Sequence, residues 1–234
     1  MAEDICQNIE RVKQQIREAC ETAGRNPEEI TLVAVSKMKP LENIKTAFGC
    51  GQLHFGENRA KELQDKMEAF DEEQIQWHMI GNLQTNKIKY MVDRVNWIDS
   101  VEKEKYLKEI EKRASRIDRV INTLIQVNIS GEKQKGGCEP EDLEKVLKYA
   151  QSLEHVRVRG LMGMATYVDP EEVEKTRPEF RLLRELRDKH RNLESENVQL
   201  KHLSMGMTND MKIAIEEGST MVRVGRAIFG ERNY

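Results

Sequence analysis

Ile5, Ile9, Val12 and Ile16 recur at steps of four, three and four residues, the period of an amphipathic helix, and "AGRNPEE" ends the pattern. Beyond it, short apolar runs alternate with longer stretches of helical period. The runs predict strands at "TLVAV" (31–35), "QLHF" (52–55), "IQWHMI" (75–80), "VNWI" (95–98), "VINTLIQVNI" (120–129), "VRVRGLM" (156–162), "LKHLS" (200–204) and "MVRV" (221–224). Helical patterns fall between them at 41–49, 58–70, 84–92, 102–116, 140–152, 171–193 and 209–217. Strands with apolar centres that alternate with helices predict a parallel sheet covered by helices. Eight such units close most simply into a single α/β domain over residues 1–234: a (β/α)8 TIM barrel with an extra N-terminal helix. An open doubly wound sheet is the alternative.

Composition narrows the function classes. With 38% hydrophobic and 34% charged residues the chain reads as globular. A net charge of −3 with both signs interspersed argues against a nucleic-acid surface. No apolar run approaches the ~18 residues of a membrane span, and the polar, acidic start "MAEDICQNIERVKQQ" is no secretory signal. Cys6, Cys20, Cys50 and Cys138 form no CxxC and the histidines are dispersed, so no metal site is expected. The expected compartment is a reducing cytoplasm.

Barrel chemistry gathers at the C-terminal ends of the strands. Those ends carry Lys37, then Glu57 and Asn58, then His78 to Gly81, then Asn128, Met162 to Met164, Ser204 to Thr208, and finally Arg223, Gly225 and Arg226. The loops "SMGMTND" and "RVGRAIFG" suit a phosphate. Gly206 and Gly225 let the backbone approach an anion, Ser204 and Thr208 offer hydroxyls, and Arg226 offers charge. Thr208 or Asn209 would equally serve as a helix N-cap. Lys37 ends the most apolar early strand. Its stem could simply cover the rim, or its amine could form a Schiff base with a phosphorylated aldehyde, either pyridoxal 5′-phosphate (PLP) or a sugar phosphate. Arg223 alternates with Val222 and Val224, which puts it inside the barrel if the valines face the helices. There it is either a core ion pair or a fixed charge against a pyridine nitrogen.

"AVSKMKP", "FGENRAKE", "WHMIGNLQTNK", "VNIS…KGG", "GLMGM", "HLSMGMTNDM" and "VRVGRAIFG" occur in the order seen in the pyridoxal phosphate homeostasis proteins, and this resemblance runs from about residue 5 to the C-terminus. It implies a barrel of PLP fold type III, similar to the N-terminal domain of alanine racemase. It further implies that Lys37 carries PLP as a Schiff base, that Arg223 sits near the pyridine nitrogen, and that Ser204, Gly225 and Arg226 bind the phosphate. Asn58, from "GEN", is implied as a neighbour of the ring. Where the family often has serine this chain has Thr208. The role of "IGNLQTNK" does not follow from its residues.

A racemase of this fold draws a second base, a tyrosine, from a C-terminal β-domain. The sequence stops at "FGERNY" after the last predicted barrel helix, so no such domain is expected; Tyr167 and Tyr234 are the tyrosines in principle available. The expectation is a non-catalytic PLP carrier or regulator of vitamin B6 balance, with PLP-dependent apo-enzymes as possible recipients. Racemase and Schiff-base aldolase are the alternatives. Lys39 and Lys135 are candidates for assisting release, or ordinary surface lysines. The arginines of "RPEFRLLRELRDKHR" read as the solvated face of a helix, and the expected state is a monomer.

Overall fold

The computed structural model describes residues 4–231. Eight parallel strands close in sequence order into one barrel: β1 (Thr31–Val35), β2 (His54–Glu57), β3 (Gln76–Met79), β4 (Trp97–Val101), β5 (Ile121–Val127), β6 (Val156–Gly163), β7 (Val198–Ser204) and β8 (Met221–Val224). Closure runs through β1 and β8, which pair from Thr31↔Met221 to Ala34↔Val224. The open-sheet alternative is therefore set aside.

The helices are α1 (Ile5–Thr22), α2 (Leu41–Gly49), α3 (Ala60–Ala69), α4 (Glu104–Ala114), α5 (Leu143–Ala150), α6 (Arg177–Lys189), α7 (Met211–Glu216) and α8 (Arg226–Phe229). The extra helix α1 starts at Asp4, whose carboxylate accepts from the Gln7 amide, a standard N-cap. It buries Ile5, Ile9, Val12 and Ile16 as the spacing predicts and packs on α2, α7 and α8. The main core is the layer between barrel and helices, whereas Leu124, Met162 and Met221 form a small cluster with Trp97 and Met164.

Several boundaries differ from expectation. β2 begins two residues later, because Gln52 is buried as a plug whose side-chain amide donates to the Leu32 and His54 carbonyls. The connection expected as a helix over 84–92 is a 3-10 segment, Thr85–Tyr90. It has i→i+3 bonds such as Lys87 N–H to Gln84 O, the tight form common in short connectors. The pattern over 171–193 divides into a 3-10 turn (Pro170–Thr176), α6 and a last turn (Arg191–Leu193). Pro178, with no N–H to donate, sits in the first turn of α6, where proline is tolerated. β5 ends at Val127, one residue before Asn128. The scattered cysteines are not all free. Cys6 and Cys50 form a disulfide joining α1 to the end of α2, while Cys20 and Cys138 are buried thiols. Burial pushes the Cys138 thiol up to about 12.

Candidate functional site

Side-chain alternation aims the site. In β1, Leu32 and Ala34 join the helix-facing core, so Val33 and Val35 face the axis and Val35 borders a cavity. Lys37 continues that period and lines the same cavity. In β8, Val222 and Val224 face the helices and Arg223 points inward, only 4% exposed. Beyond β2 and β3, Asn58 and Ile80 line the wall, and Met164 follows β6. The cavity holds about 490 Å³, within the range of small-molecule cofactor sites.

Arg223 is held rigidly. Nη1 donates to Ser204 Oγ at 2.8 Å and Nη2 to the Gly163 carbonyl at 3.0 Å. Burial lowers its pKa, opposed by the carboxylates of Asp99 and Asp210. Two of the expected phosphate residues stand behind the wall. Ser204 is fully buried and supports the guanidinium, and Gly206 packs against α7 with φ +95°. Thr208, Gly225 and Arg226 do line the cavity together with Lys37, Asn58 and Arg223. Asp210, not Thr208 or Asn209, is the N-cap position of α7. Sequence reasoning missed Asp210, whose Oδ1 accepts the Met207 amide at 2.5 Å and ties the loop after β7. An acidic residue among hydroxyls and glycines was the available signal.

The role of "IGN" becomes readable here. A Cβ on Gly81 would lie 2.1 Å from the Asn58 carbonyl oxygen and 2.6 Å from its Cα. Gly81 is thus the surface against which Asn58 is seated, and the Ser100 hydroxyl donates to the Gly81 carbonyl at 2.6 Å. Within the sheet, the Asp99 carboxylate meets His78 Nδ1 at 3.1 Å, and His78 Nε2 meets His54 Nδ1 at 3.0 Å. With His78 Nδ1–H donating to the carboxylate, Nε2 accepts from His54. Burial, then the neighbouring His78, lower His54 to about 4, so it is neutral at pH 7.

The two lysines considered for release are engaged. Lys39 borders the cavity but donates to the carbonyls of Phe229 (2.8 Å), Gly230 (3.1 Å) and Glu231 (2.7 Å). Lys135 lies off the cavity wall, bound to the Ala165 carbonyl at 2.6 Å and paired with Glu132 at 2.5 Å. Tyr167 is 71% exposed on the cavity rim, and Tyr234 lies outside the described residues.

The family model "Alanine racemase, N-terminal domain" matches residues 7–233. The pyridoxal phosphate homeostasis protein of Aquifex aeolicus is 46% identical over 233 residues, 99% of this chain and 100% of that protein. The chain belongs to the pyridoxal phosphate homeostasis protein family. Among solved structures, a protein of unknown function from Bifidobacterium adolescentis superposes with TM-score 0.89 at 34% identity, covering 97% of this chain and 95% of that one. PipY of Synechococcus elongatus PCC7942, solved with PLP bound, gives TM-score 0.85 at 31% identity, covering 97% of this chain and all of PipY. No helix among the described residues is long and apolar enough to cross a membrane.

Proposed function

We propose that this protein binds PLP in the barrel mouth through Lys37 and serves as a non-catalytic carrier or regulator of PLP. The observation that carries the reading is the meeting of Lys37, Asn58 and Arg223 on one cavity. The residues fit the group. Asn58 Oδ1 is buried with no hydrogen-bond partner, the kind of group that a polar ligand satisfies. When bound, PLP supplies an aldehyde that condenses with an amine and a ring that can draw electrons from the attached carbon. Lys37 contributes the amine. Arg223 contributes a fixed positive charge, held by Ser204 and Gly163, which would disfavour protonation of a ring nitrogen beside it and weaken the ring as an electron sink. Thr208, Gly225 and Arg226 supply the hydroxyl, backbone and guanidinium donors for the phosphate.

The carrier reading rests on relatives named for homeostasis rather than for a reaction. We place this role in the cytoplasm, in a monomer, with apo-enzymes as recipients. The racemase reading retains one observation in its favour, Tyr167 at the rim. The deciding experiment is the visible spectrum of protein with added PLP, wild type beside Lys37→Ala, followed by borohydride reduction and peptide mapping. A band fixed on Lys37 and lost in the variant supports the reading, and no band in wild type overturns it. Alanine racemisation well above that of free PLP would overturn the non-catalytic part.

A further inference from the structure

The outward side of the first two strand ends is polar, unlike the outward positions earlier in the same strands, Leu32, Ala34 and Phe55. Ser36 and Glu57 are both fully buried there, and Lys66 of α3 is 8% exposed between them. The Ser36 hydroxyl donates to Glu57 Oε1 at 2.6 Å. Lys66 Nζ donates to three acceptors: Glu57 Oε1 at 2.7 Å, Glu62 Oε1 at 2.7 Å and the Ser36 carbonyl at 2.9 Å. Glu62 Oε1 also accepts the Met38 amide at 2.6 Å.

These bonds converge on one tight turn. The Lys39 amide donates to the Ser36 carbonyl at 3.0 Å, which makes Lys37 and Met38 the two central residues. Met38 has φ +60°, the left-handed region that such a turn demands of its third residue and that glycine or asparagine usually fills. A methionine there is held against its own preference, and α3 provides the hold. Lys66 grips the carbonyl before Lys37, and Glu62 grips the amide after it.

We propose that Glu62 and Lys66 are positioning residues for Lys37, locking the Ser36–Lys39 turn so that the Lys37 side chain stays on the cavity side of the strand. The covalent consequence rests on the reading of Lys37 as the PLP anchor, but the turn itself can be tested without PLP.

Glu62→Ala removes the acceptor for the Met38 amide from a partly exposed site and leaves the Lys66–Glu57 pair in place. Hydrogen exchange on PLP-free protein should show Met38 N–H protected in wild type and unprotected in Glu62→Ala. With PLP, attachment to Lys37 should slow about tenfold in Glu62→Ala, the scale of a small misplacement of a reacting group. Affinity for 4-deoxypyridoxine 5′-phosphate, which lacks the aldehyde, should stay unchanged. Glu62→Gln, which keeps the acceptor oxygen, should behave as wild type. Met38→Gly should restore attachment in the Glu62→Ala background, because glycine adopts this turn unaided. Lys66→Met should slow attachment similarly, although it strands Glu57 and can unfold the chain, so Glu62→Ala is the deciding variant. The proposal is overturned by unchanged Met38 exchange in Glu62→Ala, by wild-type attachment rates there, or by loss of deoxypyridoxine phosphate binding in parallel. Absence of attachment in wild type with normal Met38 protection would sink the PLP reading and leave the turn lock standing.

Discussion

Gly206→Ala tests the packing of the loop after β7 most directly. Gly206 has φ +95°, and an added Cβ would fall 2.5 Å from the Ala214 Cβ and 3.3 Å from the Met211 Cα. Ala214 has no side chain to swing away, so α7 or the loop must move. The left-handed backbone costs about 1–2 kcal/mol for an L-residue, and forcing a methyl into a packed contact costs about 1–3 kcal/mol more. The loss of glycine's freedom in the unfolded chain returns roughly 0.4–1 kcal/mol. The net expectation is a loss of about 2–4 kcal/mol, or on the order of 5–15 °C in melting temperature for a chain of this size. Gly24→Ala is the internal control. Its φ is +64°, but nothing lies within 4 Å of the added Cβ, so it carries the backbone cost alone, about 1 kcal/mol or less after the same offset. The difference between the two variants, about 2 kcal/mol, measures the Ala214 contact. The Gly206 carbonyl also accepts the Arg223 amide at 3.0 Å, so PLP titration of Gly206→Ala should show weakened binding while Gly24→Ala binds as wild type. Equal melting of the two variants with unchanged PLP binding would refute the packing described for this loop.

Ser204→Ala removes the oxygen that accepts from the buried Arg223 guanidinium; thermal denaturation should show a loss of about 1–3 kcal/mol, and an unchanged melt would mean that Arg223 does not depend on that oxygen. Glu57 is pushed up to about 6, mainly by burial and against the pull of Lys66. The folded chain therefore holds this proton more tightly than the unfolded chain, and the stability it contributes is gained as pH falls through 6 and lost as pH rises. Relative to Glu57→Gln, wild type should gain about 1 kcal/mol between pH 8 and pH 5, and a constant difference across that range would show that Glu57 does not titrate there. Opening the Cys6–Cys50 disulfide, whose partners are 44 residues apart, should lower stability by up to about 4 kcal/mol on chain-entropy grounds; indifference of the melt to reductant, or to Cys50→Ser, would argue that the pair does not staple α1 to α2.

What could be read from the chain alone follows from local physics. β1 and β8 fall where "TLVAV" and "MVRV" place them, because each is a short, largely apolar run. The inward aim of Arg223 follows from the same alternation that buries Val222 and Val224. Gln52 misleads because a buried amide bonding two carbonyls looks like any polar strand residue. Thr85–Tyr90 misleads because Ile88, Met91 and Val92 keep a helical spacing while the backbone takes i→i+3 bonds. At the site, Ser204 and Gly206 were legible as lying at the end of β7 and just after it, but not as standing behind the cavity wall. The Glu57–Lys66 and Gly81–Asn58 contacts were not legible, since they depend on how α3 folds back against β2 and on the register between β2 and β3, which residue types alone do not give.

The barrel mouth divides its work by the parity of the strand. At the ends of β1 and β2 the inward positions, Val35, Lys37 and Asn58, face the cavity. The intervening outward positions, Ser36 and Glu57, face α3 and are polar where Leu32, Ala34 and Phe55 earlier in the same strands are apolar. Burying a carboxylate and an amine on the helix side is unfavourable unless each is satisfied, and here Glu57 Oε2 is buried with no hydrogen-bond partner. A packed apolar pair would serve stability at least as well. What the polar set adds is direction: Lys66 and Glu62 grip the backbone before and after Lys37, which apolar contacts cannot do with the same angular constraint. The lysine that ends an apolar strand is thus answered by a second lysine outside the barrel, which holds the first one's backbone in place.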